Sequence, residues 1–284
     1  MRARIHSIFW IPVSSFLLMS NELQIAFNIS VTADHLILKQ FRRAGNSKHD
    51  YKAHHEIVTK TDKESNDLMI KLLTKAFPND DIISEEAAMV DNPGKRVWYV
   101  DPLDGTTNFA YGLTNFSTCL GLYDSDFRVG VISIPTHHEF YLAEKGKGAW
   151  LLEKNRGNKK TRLHVSKRND LQSAMTLTCS GYSPEGWRTY FKFLRTMQKY
   201  HSKIRQFGSA GIELSALAAG RADVIVLTDV RPWDVAAGIC LVREAGGMVT
   251  DFQGRPWKPG MKTLLGTNGL MHPLMLKRFK NGRV

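Results

Sequence analysis

The spacing of apolar and polar positions changes several times along the chain, and each change marks an element. Leu23, Ile25, Ala26, Ile29, Ala33, Leu36, Ile37 and Phe41 recur every three or four residues, which predicts an amphipathic helix over 21–43. A polar, glycine-containing stretch at 44–50 reads as a loop, with His54 and His55 at its edge; two adjacent histidines alone point to no metal cluster. Thr61-Asp62 opens a second helical pattern through Asn66, Leu68, Met69, Leu72, Leu73 and Phe77, stopped by Pro78-Asn79-Asp80-Asp81. Residues 82–86 then predict a short strand ending in acid, and 96–101 a β-branched and aromatic strand that also ends in a carboxylate. A meander follows over 116–123, 127–134 and 139–143, with a turn at 146–150 leading into another strand.

The basic, glycine-containing stretch 156–162 reads as a loop and as the boundary between two halves, about 19–160 and 161–284, of a single folded unit over 19–284. Beyond it, strands at 174–178, 204–207 and 222–226 alternate with helices at 184–200, 212–219 and from Trp233-Asp234 to Gly246-Gly247. Such alternation implies α/β layering.

Composition narrows the partners. Lys and Arg number 39 against 27 Asp and Glu, a formal charge of +12, which favours anionic partners: phosphorylated metabolites, nucleic acid or an anionic surface. Cys119, Cys179 and Cys240 are scattered and form no CxxC pair, so neither a disulfide framework nor a zinc cluster is indicated, and a reducing, cytoplasmic setting is expected. Arg2 and Arg4 precede an apolar run at 5–18 with the flank of a secretory signal, but His6 and Pro12 interrupt it and it is too short to span a membrane. Residues 1–18 are therefore read as an N-terminal extension ahead of a fold beginning at Met19, with no membrane partner.

The chemistry concentrates at Glu85, at Asp101 and Asp104 around a Pro-Leu turn, and at Asp234 where a late helix starts. Oxygen-only donors suit hard cations such as Mg²⁺, with Mn²⁺ satisfying the same set. Gly105 permits close backbone approach, and a helix starting there would aim free N–H groups at an anion. Taken singly, each feature has a plainer explanation: paired glutamates are commonly solvated, Asp-Gly is a turn former, and Asp234 suits a helix cap.

Taken together, Asp101-Pro102-Leu103-Asp104-Gly105-Thr106-Thr107-Asn108-Phe109 and Trp233-Asp234-Val235-Ala236-Ala237-Gly238 resemble the paired signatures of the inositol monophosphatase family. The resemblance continues through Val58-Thr59-Lys60-Thr61-Asp62, Ile83-Ser84-Glu85-Glu86, Gly146-Lys147-Gly148-Ala149 and Glu244-Ala245-Gly246-Gly247, in the family's order. It implies a Mg²⁺-dependent, lithium-sensitive phosphomonoesterase, commonly a homodimer, with an α/β fold layered α-β-α-β-α. Its substrate would be inositol monophosphate or a related small phosphorylated metabolite. Relatives acting on fructose 1,6-bisphosphate or adenosine 3′,5′-bisphosphate supply the alternative.

By the resemblance, Glu85, Asp101, the Leu103 carbonyl, Asp104 and Asp234 look like ligands for two or three metal ions, and Asp101 like the bridging one. Asp62 and Thr106 look like the pair that orients the attacking water, with the amides of Gly105 and Thr106 on phosphate oxygens. Ser209 and Ala210 correspond to the segment that touches the rest of the substrate. Inositol-selective relatives place a glutamate seven residues before the Trp-Asp aspartate; here that residue is Leu227, which accepts no hydrogen bond. Asp229 replaces it only if the loop shifts, and Arg231 would bring a positive charge suited to a second phosphate. A reading of another class, an RNA- or transcription-complex-binding protein on the same fold, follows from the net charge, though no RNP motif or finger spacing supports it.

Overall fold

The structure, a computed structural model, describes residues 19–41, 50–51, 56–87, 96–198 and 203–280. The extension at 1–18, His54 and His55 lie outside these residues.

Ser20 starts helix α1 (Asn21–Phe41) by accepting the Leu23 amide at 3.2 Å. A two-residue antiparallel pair, β1 (Asp50–Tyr51) and β2 (Ile57–Val58), leads into α2 (Lys60–Ala76). Asp50, expected in a loop, is thus a strand residue. Next come β3 (Asp81–Ser84), β4 (Arg96–Asp104), the single turn α3 (Thr106–Ala110), β5 (Ser117–Asp124), β6 (Phe127–Ile134), β7 (Glu139–Glu144), β8 (Gly148–Glu153) and β9 (Lys159–Arg162). The strands β3 to β9 form one seven-stranded sheet in chain order. The remaining elements are β10 (Met175–Ser180), α4 (Pro184–Gln198), β11 (Lys203–Arg205), α5 (Ala210–Ala218), β12 (Val224–Thr228), α6 (Pro232–Glu244), β13 (Met248–Thr250), β14 (Thr263–Thr267) and α7 (His272–Lys280). Their five strands form a second sheet, ordered β11-β10-β12-β14-β13.

Alternation along the strands sorts the core into three layers of contact. Trp98 and Val100 of β4, with Leu120 and Val131, meet Phe27 and Ile37 of α1 and Met69 and Leu73 of α2. Val97 and Tyr99, on the other face of β4, join Cys119 and Ile132 against Leu214, Leu217, Val235 and Ile239 of α5 and α6. Those two helices also cover Ile225, Leu227 and Leu264 of the second sheet. Val224, Val226 and Leu265, on that sheet's far face, meet Phe193 and Met197 of α4 and Met275 and Phe279 of α7. The order is α-β-α-β-α, as the resemblance implied.

Helix α6 lies unusually close to the first sheet. A Cβ at Gly130 would sit 2.3 Å from the Ala237 carbonyl oxygen, and one at Gly121 2.6 Å from Ala236 Cβ. Only strands bare of side chains at these points let the helix backbone rest on them.

Two expectations need correction. Lys159–Arg162 is an edge strand rather than a loop; its residues are exposed and mostly basic, so the alternation that announces a strand is absent, while the charge suits an edge that must not pair further. The elements β13, β14 and α7 were also missed, because three-residue β13 is too short to show a period and apolar β14 is interrupted by glycine. Among the described residues no helix is long and apolar enough to cross a membrane.

Candidate active site

The site begins at the end of β4. Asp101 pairs with Cys119 and Asp104 with Ser117, so three steps on one strand match two on the other. This bulge brings residues of odd separation onto one face of the sheet, where a regular strand would point them apart. Asp101 Oδ1 accepts the Leu103 amide at 3.1 Å, closing the Pro-Leu turn. Gly105 then turns the chain at φ +88°, and a Cβ there would meet the Asn115 carbonyl at 2.9 Å, so both backbone conformation and space demand glycine. The first amides of α3 follow at once and have no acceptor within the helix.

Asp62 reaches this turn from α2. Thr59 caps that helix, and Asp62 returns the bond: its Oδ2 accepts the Thr59 amide at 2.8 Å and the Thr59 hydroxyl at 2.5 Å. Its Oδ1 accepts the Thr106 hydroxyl at 2.7 Å, and that hydroxyl also lies 3.0 Å from the Leu103 carbonyl oxygen. A capping motif thereby aims a buried carboxylate at Thr106. Burial chiefly raises its pKa, against the bonds from Thr59 and Thr106.

Asp104 is held by the start of α5. Its Oδ2 accepts the Ser117 hydroxyl (2.8 Å), the Ser209 hydroxyl (2.6 Å) and the Gly211 amide (2.7 Å), while Oδ1 accepts the Ala210 amide at 3.2 Å. Ser209 and Ala210, expected beside the substrate, therefore turn their polar groups onto Asp104, and both are buried. Asp234 arrives on α6, where its Oδ2 accepts the Arg231 amide at 2.7 Å. It does act as a cap residue, yet burial, with Asp104 and Glu56 nearby, pushes its pKa up to about 7.

These acids share one electrostatic field. The pKa of buried Asp101 is driven well above the usual range, first by burial and then by Glu85, Asp104 and Asp234. Glu85, half-buried just after β3, is placed by its amide on the Val100 carbonyl at 3.2 Å. Among the described residues no three His, Cys, Asp or Glu side chains are already gathered as a coordination sphere. Asp101, Asp104 and Asp234 are instead steadied by donors of the chain.

Leu227 is buried in the core, on the face of β12 that packs against the α5 and α6 layer. Asp229 does not stand in for it: its Oδ2 accepts the Ser183 amide at 3.0 Å, and its side chain presses on Gly181 and Gly186, anchoring the loop before α4. Arg231 is exposed at the start of α6, close enough to Asp234 to favour its charged form. Tyr182, half exposed and absent from the sequence reading, hydrogen-bonds Thr107 and feels Glu56 and Glu85. Nothing in the local sequence around Tyr182 signals this, since only the fold joins it to α3.

Glu213 on α5 supports the loop ahead of Ser209. Its Oε1 accepts the Phe207 amide at 2.9 Å, its Oε2 is buried without a partner, and burial pushes its pKa up to about 8. The folded protein thus holds a proton that the unfolded chain releases near pH 4.5, and the associated stability is lost as pH rises toward 8. Replacing Glu213 by Gln keeps the Phe207 bond and removes this loss. In urea titrations at pH 5, 7 and 9 with EDTA, Glu213→Gln should gain on wild type by up to about 1.4 kcal/mol per pH unit between 5 and 8. A gap that stays constant with pH would rule this out.

The sequence profile of the inositol monophosphatase family matches residues 19–282. The chain belongs to the inositol monophosphatase family. A fructose-1,6-bisphosphatase/inositol-1-monophosphatase of Thermotoga maritima is 35% identical over 246 residues, covering 86% of this chain and 90% of that protein. The Nus factor SuhB of Escherichia coli is 33% identical over 235 residues, covering 82% and 85%. Among solved structures, an IMPase from Thermotoga maritima superposes with a TM-score of 0.81 at 32% identity, covering 92% of this chain and 98% of that one. The extragenic suppressor protein suhB from Bartonella henselae gives 0.84 at 30% identity, covering 93% and 100%. The chain is accordingly a phosphoric monoester hydrolase for small phosphorylated substrates, in an inositol monophosphatase family whose members are generally metal-dependent.

Proposed function

We propose that this chain is a Mg²⁺-dependent phosphomonoesterase that releases phosphate by direct attack of water, with no covalent enzyme intermediate. The observation that carries the reading is the placement of Asp101: it is buried, its ionisation is opposed by Glu85, Asp104 and Asp234, and the Asp62–Thr106 hydrogen bond lies beside the same turn. Carboxylates buried together suit a divalent cation, which removes the repulsion that otherwise keeps them protonated. Glu85, Asp101, the Leu103 carbonyl, Asp104 and Asp234 would hold two or three such ions. The cation supplies Lewis acidity to the phosphoryl oxygens and makes a bound water more acidic near neutral pH.

The chain's own groups handle the proton and the phosphate. The Thr106 hydroxyl spends its hydrogen on Asp62 and the Leu103 carbonyl, so its oxygen faces outward only as an acceptor. A water donating to that oxygen has its lone pair directed elsewhere, toward phosphorus. The raised pKa of Asp62 suits it to take up proton density through Thr106. The amides of Gly105 and Thr106, at the start of α3, serve the phosphate oxygens.

For substrate, Leu227 in the core leaves no carboxylate to accept from sugar hydroxyls at that position, and exposed Arg231 suits a second phosphate. Bisphosphates of sugars or nucleosides therefore stand beside inositol monophosphate as substrates, and assembly is read as a homodimer. Phosphate release from inositol 1-phosphate, fructose 1,6-bisphosphate, adenosine 3′,5′-bisphosphate and histidinol phosphate, with Mg²⁺, with EDTA and with added Li⁺, tests the reading. Turnover that needs Mg²⁺ and falls with Li⁺ is expected, with bisphosphates ahead of inositol 1-phosphate. Absence of turnover on all of them would favour a binding role instead, a reading that the relatives named Nus factor SuhB make concrete.

A further inference from the structure

The turn that carries Gly105 and Thr106 meets two other segments of the chain, and one side chain ties all three together. Asn108, half-buried in α3, donates through Nδ2 to the Asn115 carbonyl ahead of β5 at 2.7 Å and to the Phe207 carbonyl ahead of α5 at 2.7 Å. The Gly208 carbonyl lies 3.5 Å from the same nitrogen. All three contacts are carbonyl oxygens, so the nitrogen and not the oxygen of the side chain must face them, and its two hydrogens are both used.

Two of these carbonyls also wall Gly105. A Cβ there would lie 2.9 Å from the Asn115 oxygen and 3.2 Å from the Gly208 oxygen, so both segments close on the turn. Each segment then runs on to Asp104: Ser117 follows Asn115 by two residues, Ser209, Ala210 and Gly211 follow Gly208, and all four donate to the Asp104 carboxylate. Glu213 accepts the Phe207 amide, so Phe207 is fixed at both its N–H and its C=O. Gly208 itself has φ +72°, and a Cβ on it would come within 3.2 Å of Asn108 Nδ2, which leaves room only for a bare residue. Without the Asn108 amide, the Asn115 and Phe207 carbonyls lose their shared donor and must turn toward water to find another, taking their segments away from the turn.

We propose that Asn108 is a positioning residue for the phosphatase reaction. It clamps the segment before β5 and the loop before α5 onto the Gly105–Thr106 turn, and acts through Asp104 and Thr106 rather than on the substrate. The inference rests on the roles proposed above for those two residues.

Asn108→Leu, close to Asn in size but without a donor, is compared with wild type in the full chain. At a temperature where circular dichroism shows both folded, kcat/KM with Mg²⁺ should fall by about a hundredfold on the substrate that wild type turns over best. In EDTA, deuterium exchange at 115–117 and 207–211 should quicken by roughly tenfold, while 224–228 in β12 keeps its wild-type rate. A merely structural role would quicken exchange in every layer alike and leave the kinetics of the folded enzyme unchanged. Gly208→Ala, which crowds Asn108 Nδ2 from the other side, should reproduce both effects, and the double variant should lose little more than the worse single one. Should Asn108→Leu not fold, Asn108→Ser, smaller and with one hydroxyl donor, carries the comparison with an intermediate loss of roughly tenfold. Near-normal kcat/KM in the folded Asn108 variants, exchange that rises equally in β12, or additive losses in the double variant would overturn the inference. Wild type without turnover on any of the phosphate esters named above would defeat the phosphatase reading and this inference together; an active wild type matched by its Asn108 variants defeats this inference alone.

Discussion

Asp101→Asn should lower phosphate release by on the order of a thousandfold or more, while the folded state survives intact. Asn keeps the oxygen that accepts the Leu103 amide, so the Pro-Leu turn closes as before. It removes a carboxyl whose ionisation burial, Glu85, Asp104 and Asp234 all oppose, so the cation-free fold is not weakened by the change. What disappears is the negative charge at the centre of the acid group. The same loss has a readout independent of turnover. Wild type should melt at a higher temperature with Mg²⁺ than with EDTA, by the equivalent of about 2.7 kcal/mol at a hundredfold excess over Kd. In Asp101→Asn most of that difference should vanish. Near-normal turnover, or an undiminished response to Mg²⁺, would remove Asp101 from the role assigned to it.

The second large effect concerns Asp62. Asp62→Asn should cut kcat by about 10²- to 10⁴-fold with little change in KM, the range for losing proton transfer in the transition state. Thr106→Ala should cost a similar factor, and the double variant little more than either, because the two act as one unit. Thr106→Ser, which keeps the hydroxyl, should recover most of the activity. If Asp62 mattered only as a cap of α2, its replacement would lower stability and leave kcat of the folded enzyme near normal; circular dichroism melts beside the kinetics separate the two cases. Additive losses in the double variant would show that Asp62 and Thr106 work apart.

How far the sequence disclosed this arrangement depended on whether a feature was local. The long helices and the meander were legible because each carries its period within one continuous segment, as in Leu23 to Phe41 or Phe127–Ile134. Strand β9 was not, since its exposed basic residues show no alternation and its place is set by β8 alone. Asp101, Asp104 and Asp234 could be named from their motifs, but not the hydrogen bonds that occupy them. Ser209 reads as a ligand contact in sequence; in space its hydroxyl belongs to Asp104, because the loop before α5 and the end of β4 meet only in the folded chain. Tyr182 was invisible for the same reason, since the fold alone brings it to Thr107; Glu213 acts locally, on the Phe207 amide six residues earlier, but in sequence it passes for a solvated helix carboxylate. Asp34, in turn, sat inside an apolar period where a polar residue passes as surface, and only its burial shows otherwise.

The bare strands beneath α6 carry a consequence for how the enzyme tolerates change. Asp234 stands on the first turn of that helix and Asp101 on the sheet, so the depth at which the helix rests works as a gauge block between them. One methyl group at position 130 would overlap the Ala237 carbonyl and force the helix outward, carrying Asp234 with it. Damage done at a wholly interior contact would then surface as a fault in chemistry, with every acid still in place and none of them at the right span. The calibre of the active centre is in this sense machined into the core, two strands away from any residue a substrate touches.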